Sequence, residues 1–252
     1  MQIHIVDDGR AAANFAAQLI VDAHNNGGRT FGLATGQTMV PVYEALVNQV
    51  RHAQIAADTW ETFNLDEYVG IPSRHPGSFR YFMEEHLFGP LNLPRERTHL
   101  LDGMAEDLQA ECARYEEALE RADLDLQILG IGINGHIGFN EPGTPWDSRT
   151  HVIRLTQETL EQNGPGFPGK IPEEALTMGI QSILRACAIV VVAIGEKKAE
   201  AVRRAITGLP DVQCPASSLQ THGHVQYVID QKAATLLLDD PEIQAHEVIQ
   251  HA

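Results

Sequence analysis

Short apolar runs alternate with amphipathic segments along most of the chain. The run at residues 3–6 precedes a stretch over residues 10–26 in which apolar positions recur every three or four residues, as in a helix that buries one face. The pattern predicts further strands at residues 30–34, 60–65, 98–101, 126–132, 188–195 and 224–230, and helices around residues 40–50, 77–88, 106–121, 196–208 and 231–237. Several of these strands are continuously apolar, which is typical of strands buried on both faces. The alternation therefore predicts a single α/β domain over residues 1–252, with an open, mostly parallel twisted sheet and helices on both faces.

One segment interrupts this rhythm. Residues 158–177 contain three glycines and three prolines without low complexity. Such a stretch inside a compact domain is usually a linker or a functional lid. We expect a mobile lid at about residues 155–177.

Composition and charge limit the classes of function. The chain has 252 residues, of which 43% are hydrophobic, and a formal net charge of −16, which argues against binding to nucleic acid or an anionic membrane. Its three cysteines show no metal-ligand spacing and are expected to be reduced thiols. The apolar run at residues 186–194 is too short to span a bilayer, and residues 1–10 lack the features of a signal peptide. A soluble, cytoplasmic protein is expected.

Three unusual stretches follow predicted strands, where ligands bind in open parallel sheets. In the first, residues 35–38 (TGQT), Gly36 lets the backbone approach a ligand, and Thr35 and Thr38 offer hydroxyl groups. The N–H groups of the following helix would point at the same place, so the stretch resembles an anion cradle. The alternative is an ordinary turn between strand and helix with Thr38 as the N-cap residue.

The second stretch places two adjacent acids, Asp66 and Glu67, at the end of a predicted strand. A carboxylate held there in a cleft is a good general base. The alternative is a solvated turn in which Asp66 bonds to its own backbone.

The third stretch, residues 134–141 (NGHIGFNE), lies on a glycine-rich loop. His136 and Glu141 are five residues apart and can converge on one ligand, and imidazole titrates near neutral pH. The spacing does not fit a helical zinc site, so no metal site is predicted. The alternative is a turn whose glycines serve the backbone and whose histidine is merely hydrogen-bonded.

Read in order, LATGQT, FNLDEYVGIPSRHPGSFRYFM and LGIGINGHIGFNEPGTPWDSRTH closely resemble glucosamine-6-phosphate deaminases, with a broader kinship to 6-phosphogluconolactonases. The resemblance runs from about residue 30 to residue 230. It implies a Rossmann-like fold and the conversion of D-glucosamine 6-phosphate and water to D-fructose 6-phosphate and ammonia. It also implies that no metal or organic cofactor is needed, because the opened sugar supplies its own electron sink.

The resemblance assigns roles to four residues. Asp66 matches the base that removes the C2 proton of the sugar and returns it at C1. His136 matches the acid/base that opens the sugar ring, and Glu141 matches the carboxylate that orients this histidine and keeps it charged. Asn134 stands where some members carry Asp and others Asn, and here it can only form hydrogen bonds.

The resemblance also assigns the phosphate site. Gly36, Gln37 and Thr38 match the phosphate loop, and Lys198 matches a phosphate-binding lysine. The arginine that usually grips the phosphate from the lid is absent, because Pro165 occupies its place. Lys170 is the nearest cation and is the candidate to substitute for it.

Three alternatives stay open at this stage. The substrate could be the galactosamine epimer, since no residue is identified that reads the C4 hydroxyl. A 6-phosphogluconolactonase-like hydrolase shares the phosphate loop, although the DEY and NGHIGFNEP stretches favour the deaminase. A catalytically silent sugar-phosphate sensor would need the phosphate site but not Asp66, His136 and Glu141 together. The sequence leaves the oligomeric state open, a homo-oligomer included.

Overall fold

The computed structural model describes residues 1–251, apart from the side chains of residues 162 and 245. Within that range the chain forms eleven strands: β1 (Gln2–Val6), β2 (Thr30–Leu33), β3 (Glu61–Asn64), β4 (Asp66–Tyr68), β5 (Thr98–His99), β6 (Leu126–Gly130), β7 (His151–Arg154), β8 (Glu174–Thr177), β9 (Ala188–Ala193), β10 (Val225–Asp230) and β11 (Glu247–Gln250). The same residues form nine α-helices: α1 (Gly9–Asn25), α2 (Met39–His52), α3 (Phe79–Met83), α4 (Gly89–Leu91), α5 (Leu108–Ala122), α6 (Gln157–Asn163), α7 (Ile180–Ile183), α8 (Ala199–Ile206) and α9 (Thr235–Leu238). None of the described helices is both long and apolar enough to cross a membrane.

Eight strands form one sheet in the order β11-β1-β10-β9-β6-β2-β3-β5, and all seven pairings are parallel. Successive residues of the central strands β6 and β9 are buried, so both faces of the sheet are covered. Continuous apolar strands of this kind are expected where helices pack on both faces. The predicted α/β fold class is confirmed.

The chain changes direction across the sheet between β2 and β6. From β2 it continues to β3 and β5 on one side, and strands β6, β9 and β10 then extend the sheet on the other side. The loops that leave β2 and β6 are therefore neighbours at a topological switch point, where open α/β sheets leave a crevice for ligands. These loops carry residues 34–38 and 131–141.

A second sheet was not predicted. Strands β4, β8 and β7 form a small antiparallel sheet in which Asp66 and His151 both lie opposite Thr177. Strand β3 ends at Asn64, so Asp66 does not end that strand but begins a separate one. Both acids of β4 are buried, and the alternative of a solvated turn at Asp66 is therefore wrong. Two acids in a strand of three residues hide its β character from a reading of apolar runs.

The segment that was expected to form a lid is more ordered than its composition indicates. It begins with helix α6 and ends with strand β8, in which Ala175 and Leu176 are fully buried. Only residues 164–173 between them are irregular. The glycines and prolines mark this shorter loop, whereas the apolar residues after them pack beneath it.

Several predicted elements also have different ends; strand β6, for example, ends at Gly130 rather than at residue 132. Strand β5 ends at His99 rather than at residue 101, and helix α9 begins at Thr235 rather than at residue 231. The differences in β5 and α9 lie at the periphery of the fold.

Candidate active site

A cavity of about 390 Å³ opens at the switch point between β2 and β6. Its walls come from the loop after β2, strand β4, the start of α3, the loop after β6 and the irregular loop before β8. The predicted site residues that line it are Thr35, Gly36, Gln37, Thr38, Asp66, His136 and Lys198. Asn134 and Glu141 stand behind His136, whereas Lys170 does not line this cavity.

The loop after β2 has the form of an anion-binding turn. Gly36 has a φ of +100°, in the left-handed region that favours glycine. The Met39 N–H donates to the Gly36 carbonyl at 2.9 Å and closes the turn into α2. Thr38 occupies the N-cap position, but its side chain makes no capping hydrogen bond. Thr38 therefore occupies the predicted N-cap position, but its hydroxyl does not cap the helix. The residue lines the cavity instead.

Asp66 begins β4 with its side chain against the cavity, where the residue is only 6% exposed. Burial, together with the nearby charge of Glu67, raises the pKa of Asp66 to about 8. A carboxylate whose pKa lies near neutrality can hold a proton and release it again within one reaction cycle.

Glu67 has a different role. Its carboxylate accepts four hydrogen bonds at 2.9–3.0 Å, from the N–H groups of Tyr68, Phe79 and Arg80 and from the Ser78 hydroxyl. Burial raises the pKa of Glu67, and these donors oppose the rise. Three of them belong to the first residues of α3 or to its N-cap, so Glu67 fixes this helix to β4.

His136 lies close to Glu141 on the loop after β6. Its Nδ1 is 3.6 Å from Glu141 Oε2 and has no closer partner among the described residues. The imidazole ring lies directly over Gly132, where a Cβ atom would come within 2.3–2.5 Å of three ring atoms. Glycine at position 132 is therefore required for the histidine to occupy this place.

Glu141 is held by donors on both of its oxygens. Asn134 Nδ2 donates to Oε2 at 3.0 Å, and the hydroxyls of Thr156 and Thr159 donate to Oε1. Burial opposes ionisation of Glu141, but the interactions with His136, Thr159 and Asn134 outweigh it and lower the pKa to about 2. Glu141 is therefore a fixed negative charge beside the histidine.

The two threonines were missed by sequence reasoning. They lie 15 and 18 residues beyond Glu141, and the local signal, a threonine at the N-cap of α6, indicates only a helix start.

The two predicted lysines differ in their surroundings. Lys198 Nζ donates to the Ile131 carbonyl at 2.7 Å, and burial lowers the pKa of this lysine. Among the described residues, it is the one lysine or arginine side chain that lines the cavity. The side chain of Lys170 is 84% exposed and forms an ion pair with Glu173 at 3.1 Å. The structure therefore brings Lys198 to the cavity and leaves Lys170 outside it.

The irregular loop before β8 covers part of the cavity with apolar groups. The Phe167 ring packs edge-on against Tyr68, with ring centroids 5.5 Å apart, and stacks on His75 at 6.0 Å. Asn163 Nδ2 donates to the Tyr68 hydroxyl at 3.2 Å. Pro165 also lines the cavity. This aromatic wall was missed as well, because its members come from separate parts of the chain.

Comparison of folds defines the class to which this arrangement belongs. The structure of a monomeric glucosamine-6-phosphate deaminase has a TM-score of 0.91 at 39% identity, over 94% of this chain and 100% of that protein. A 6-phosphogluconolactonase from Thermotoga maritima has a TM-score of 0.73 at 20% identity, over 92% of this chain and 100% of the other. At that identity the second likeness is one of fold alone. The fold therefore places this chain in the class of α/β proteins that share the architecture of these two enzymes.

Sequence comparison narrows the class. The family described as glucosamine-6-phosphate isomerases/6-phosphogluconolactonase matches residues 8–228. A glucosamine-6-phosphate deaminase of Rhodopirellula baltica is 46% identical over 241 residues, which cover 94% of this chain and 96% of the relative. That of Thermoanaerobacter sp. (strain X514) is 44% identical over 221 residues, or 86% and 87% of the two chains. The chain belongs to this family, and the resemblance inferred from its motifs is confirmed.

Proposed function

We propose that the protein is a glucosamine-6-phosphate deaminase, which converts D-glucosamine 6-phosphate and water to D-fructose 6-phosphate and ammonia. The observation that carries the proposal is the meeting of three groups in one cavity. A buried carboxylate (Asp66) faces the same space as a histidine–carboxylate pair (His136 and Glu141) and an anion-binding turn at residues 35–38. The relatives that cover most of the chain carry the same activity in their names.

In the proposed mechanism His136 opens the sugar ring. It delivers a proton to the ring oxygen and takes one from the C1 hydroxyl, which leaves an aldehyde at C1. The fixed charge of Glu141 stabilises the protonated imidazole, and Asn134 holds that carboxylate in place.

Asp66 then shifts the double bond. As the ionised carboxylate it removes the C2 proton and returns this proton at C1, while the C1 oxygen takes up the proton that the amino group gives up. The carbon that bears nitrogen becomes an imine, and water adds to it and releases ammonia, leaving the ketone of fructose 6-phosphate. Burial suits Asp66 to this task, because a raised pKa strengthens the base.

The phosphate group is proposed to bind where residues 35–38 and Lys198 line the cavity. Backbone N–H groups of residues 36–38, the hydroxyls of Thr35 and Thr38 and the ammonium of Lys198 would hold it there. Pro165 supplies no charge, and Lys170 is engaged by Glu173 on the surface. Lys198 is therefore the main cationic partner in this proposal.

A coupled assay tests the function. Release of ammonia and fructose 6-phosphate is measured with glucosamine 6-phosphate, galactosamine 6-phosphate and unphosphorylated glucosamine, beside hydrolysis of 6-phosphogluconolactone. Rapid turnover of glucosamine 6-phosphate alone is expected. Preference for galactosamine 6-phosphate would mean that this epimer is the substrate. Hydrolysis of the lactone would mean that the protein is a lactonase, and binding of the sugar phosphate without turnover would indicate a sensor.

The proposed enzyme acts in the cytoplasm. All three cysteines are free thiols, which is in keeping with a reducing compartment.

A further inference from the structure

Tyr43 lies on α2, four residues after its first residue, and its side chain is fully buried. The ring meets Phe82 edge-on, with centroids 6.3 Å apart. The hydroxyl donates a hydrogen bond to the Ala34 carbonyl. A buried phenol is thus joined to the backbone at the very point where the chain leaves β2.

This contact lies at the entry of the anion-binding turn. Ala34 is buried and directly precedes residues 35–38, of which Gly36 and Gln37 are exposed. The exit of the turn is fixed to α2 by the Met39 N–H bond to Gly36. Both ends of the turn are therefore attached to the same helix, the entry through the Tyr43 side chain and the exit through the backbone.

We infer that Tyr43 is a positioning residue that holds residues 35–38 in the shape required to bind a phosphate group. The inference deepens the proposed function and rests on it. Backbone N–H groups bind an oxyanion well only when they converge, because they cannot reorient independently as side chains do. A turn released at Ala34 would lose this convergence.

The hydroxyl is suited to a permanent role of this kind. Burial raises the pKa of Tyr43 well above its ordinary value, and the nearby carboxylate of Asp66 raises it further. The phenol therefore stays protonated and donates throughout the pH range in which the enzyme works. Tyr43 therefore lies near the proposed base as well as beside the start of the phosphate turn.

The chain offers a matched control for removal of this hydroxyl. Tyr227 is also fully buried, but its hydroxyl has no hydrogen-bond partner among the described residues. Replacing Tyr43 or Tyr227 by phenylalanine removes the same atom from equally buried sites. Only Tyr43→Phe leaves a backbone carbonyl without this donor.

The experiment measures binding of inorganic phosphate by calorimetry to wild type, Tyr43→Phe and Tyr227→Phe. The temperature is kept well below the unfolding transition of each protein. Tyr43→Phe is expected to bind phosphate about 5- to 30-fold more weakly, the scale of one buried acceptor left unpaired, and Tyr227→Phe is expected to match wild type. With glucosamine 6-phosphate, KM should rise by a similar factor in Tyr43→Phe while kcat changes much less.

Equal phosphate affinity in Tyr43→Phe and wild type would overturn the inference, as would an equal loss in both variants. A fall in kcat without a loss of phosphate affinity would also overturn it, since the tyrosine would then act on the chemistry or on the fold. The proposed function fails separately. It falls if wild type releases no ammonia, and the phosphate-binding comparison can be read without any turnover.

Discussion

At the scale of single residues, the two adjacent acids of β4 have different surroundings because their side chains point in different directions. Glu67 is surrounded by four donors, whereas no hydrogen-bond donor reaches the Asp66 carboxylate among the described residues. Neighbouring side chains of a strand point to opposite faces. Glu67 therefore anchors helix α3. Asp66 faces the cavity, and its carboxylate is a strong base because burial makes ionisation costly.

This difference predicts the pH dependence of the reaction. Since the base must be ionised and the pKa of Asp66 is about 8, kcat/KM should rise roughly tenfold per pH unit up to pH 8 and level off above it. Asp66→Asn should lower kcat by about two to four powers of ten and retain phosphate binding. Steady-state kinetics from pH 5.5 to 9.5, about the range in which such a group titrates, measure both effects.

The raised pKa of Asp66 also predicts that the stability of the folded protein depends on pH. A carboxyl whose folded-state pKa is raised favours the folded state at low pH, and this contribution is lost as pH rises through about 8. The Tm of Asp66→Asn should therefore exceed that of wild type by more at pH 9 than at pH 5. Near-normal turnover of this variant would mean that Asp66 is not the base. A Tm difference that does not depend on pH would mean that its pKa is not raised in the folded protein.

At the scale of elements, the loop after β6 depends on glycine where the histidine lies over the backbone. Gly132→Ala would place a Cβ within 2.3–2.5 Å of the His136 ring, so the ring must move. Because small misplacements of catalytic groups cost about 100-fold, kcat should fall by roughly that factor while the protein remains folded. Kinetics and circular dichroism measure the two effects.

Gly223→Ala is the matched control for this variant. A Cβ at position 223 meets no atom within 4 Å, and the backbone there is not in the left-handed region. Gly223→Ala should therefore leave kcat and Tm unchanged. Equal activity of Gly132→Ala and Gly223→Ala would mean that the position of the His136 ring does not limit the reaction.

The different surroundings of Lys198 and Lys170 lead to a separate prediction about which lysine binds the phosphate group. Lys198→Ala should raise KM for glucosamine 6-phosphate by about ten- to a hundredfold, the scale of one charge-assisted hydrogen bond. Lys170→Ala should change KM by less than about twofold, because an exposed ion pair contributes little. A strong effect of Lys170→Ala would show that the loop carries this lysine to the phosphate when substrate binds.

Sequence patterns predicted the elements that depend on local signals. Strands β1, β2, β6, β9 and β10 of the large sheet are runs of four to six mostly apolar residues, and Asp66, His136 and Glu141 lie within short motifs. Strand β11 of the same sheet was not predicted. Strands β4, β7 and β8 are short and gain their pairing only from one another. The contacts of Thr159 with Glu141 and of Phe167 with Tyr68 are likewise products of the fold, so no local pattern could predict them.

At the scale of the whole molecule, the net charge of −16 opposes the approach of a phosphorylated sugar. Raising sodium chloride from ~10 to ~150 mM shortens the screening length from about 30 to 8 Å. The value of kcat/KM at low substrate should therefore increase several-fold, with kcat unchanged. Stopped-flow or initial-rate measurements test this, and a decrease with salt would show that attraction by Lys198 dominates the field.

The place of β1 in the large sheet has a consequence for biosynthesis. This strand lies between β10 and β11, and its first residue pairs with Gln226. At about 5–20 residues per second, a ribosome needs roughly 10–45 s to deliver that partner after β1 has been made. Throughout this interval Ile3, Ile5 and Val6, which are buried in the finished protein, have no sheet to join. The nascent chain therefore carries an unpaired, aggregation-prone strand until residues 225–230 have been made.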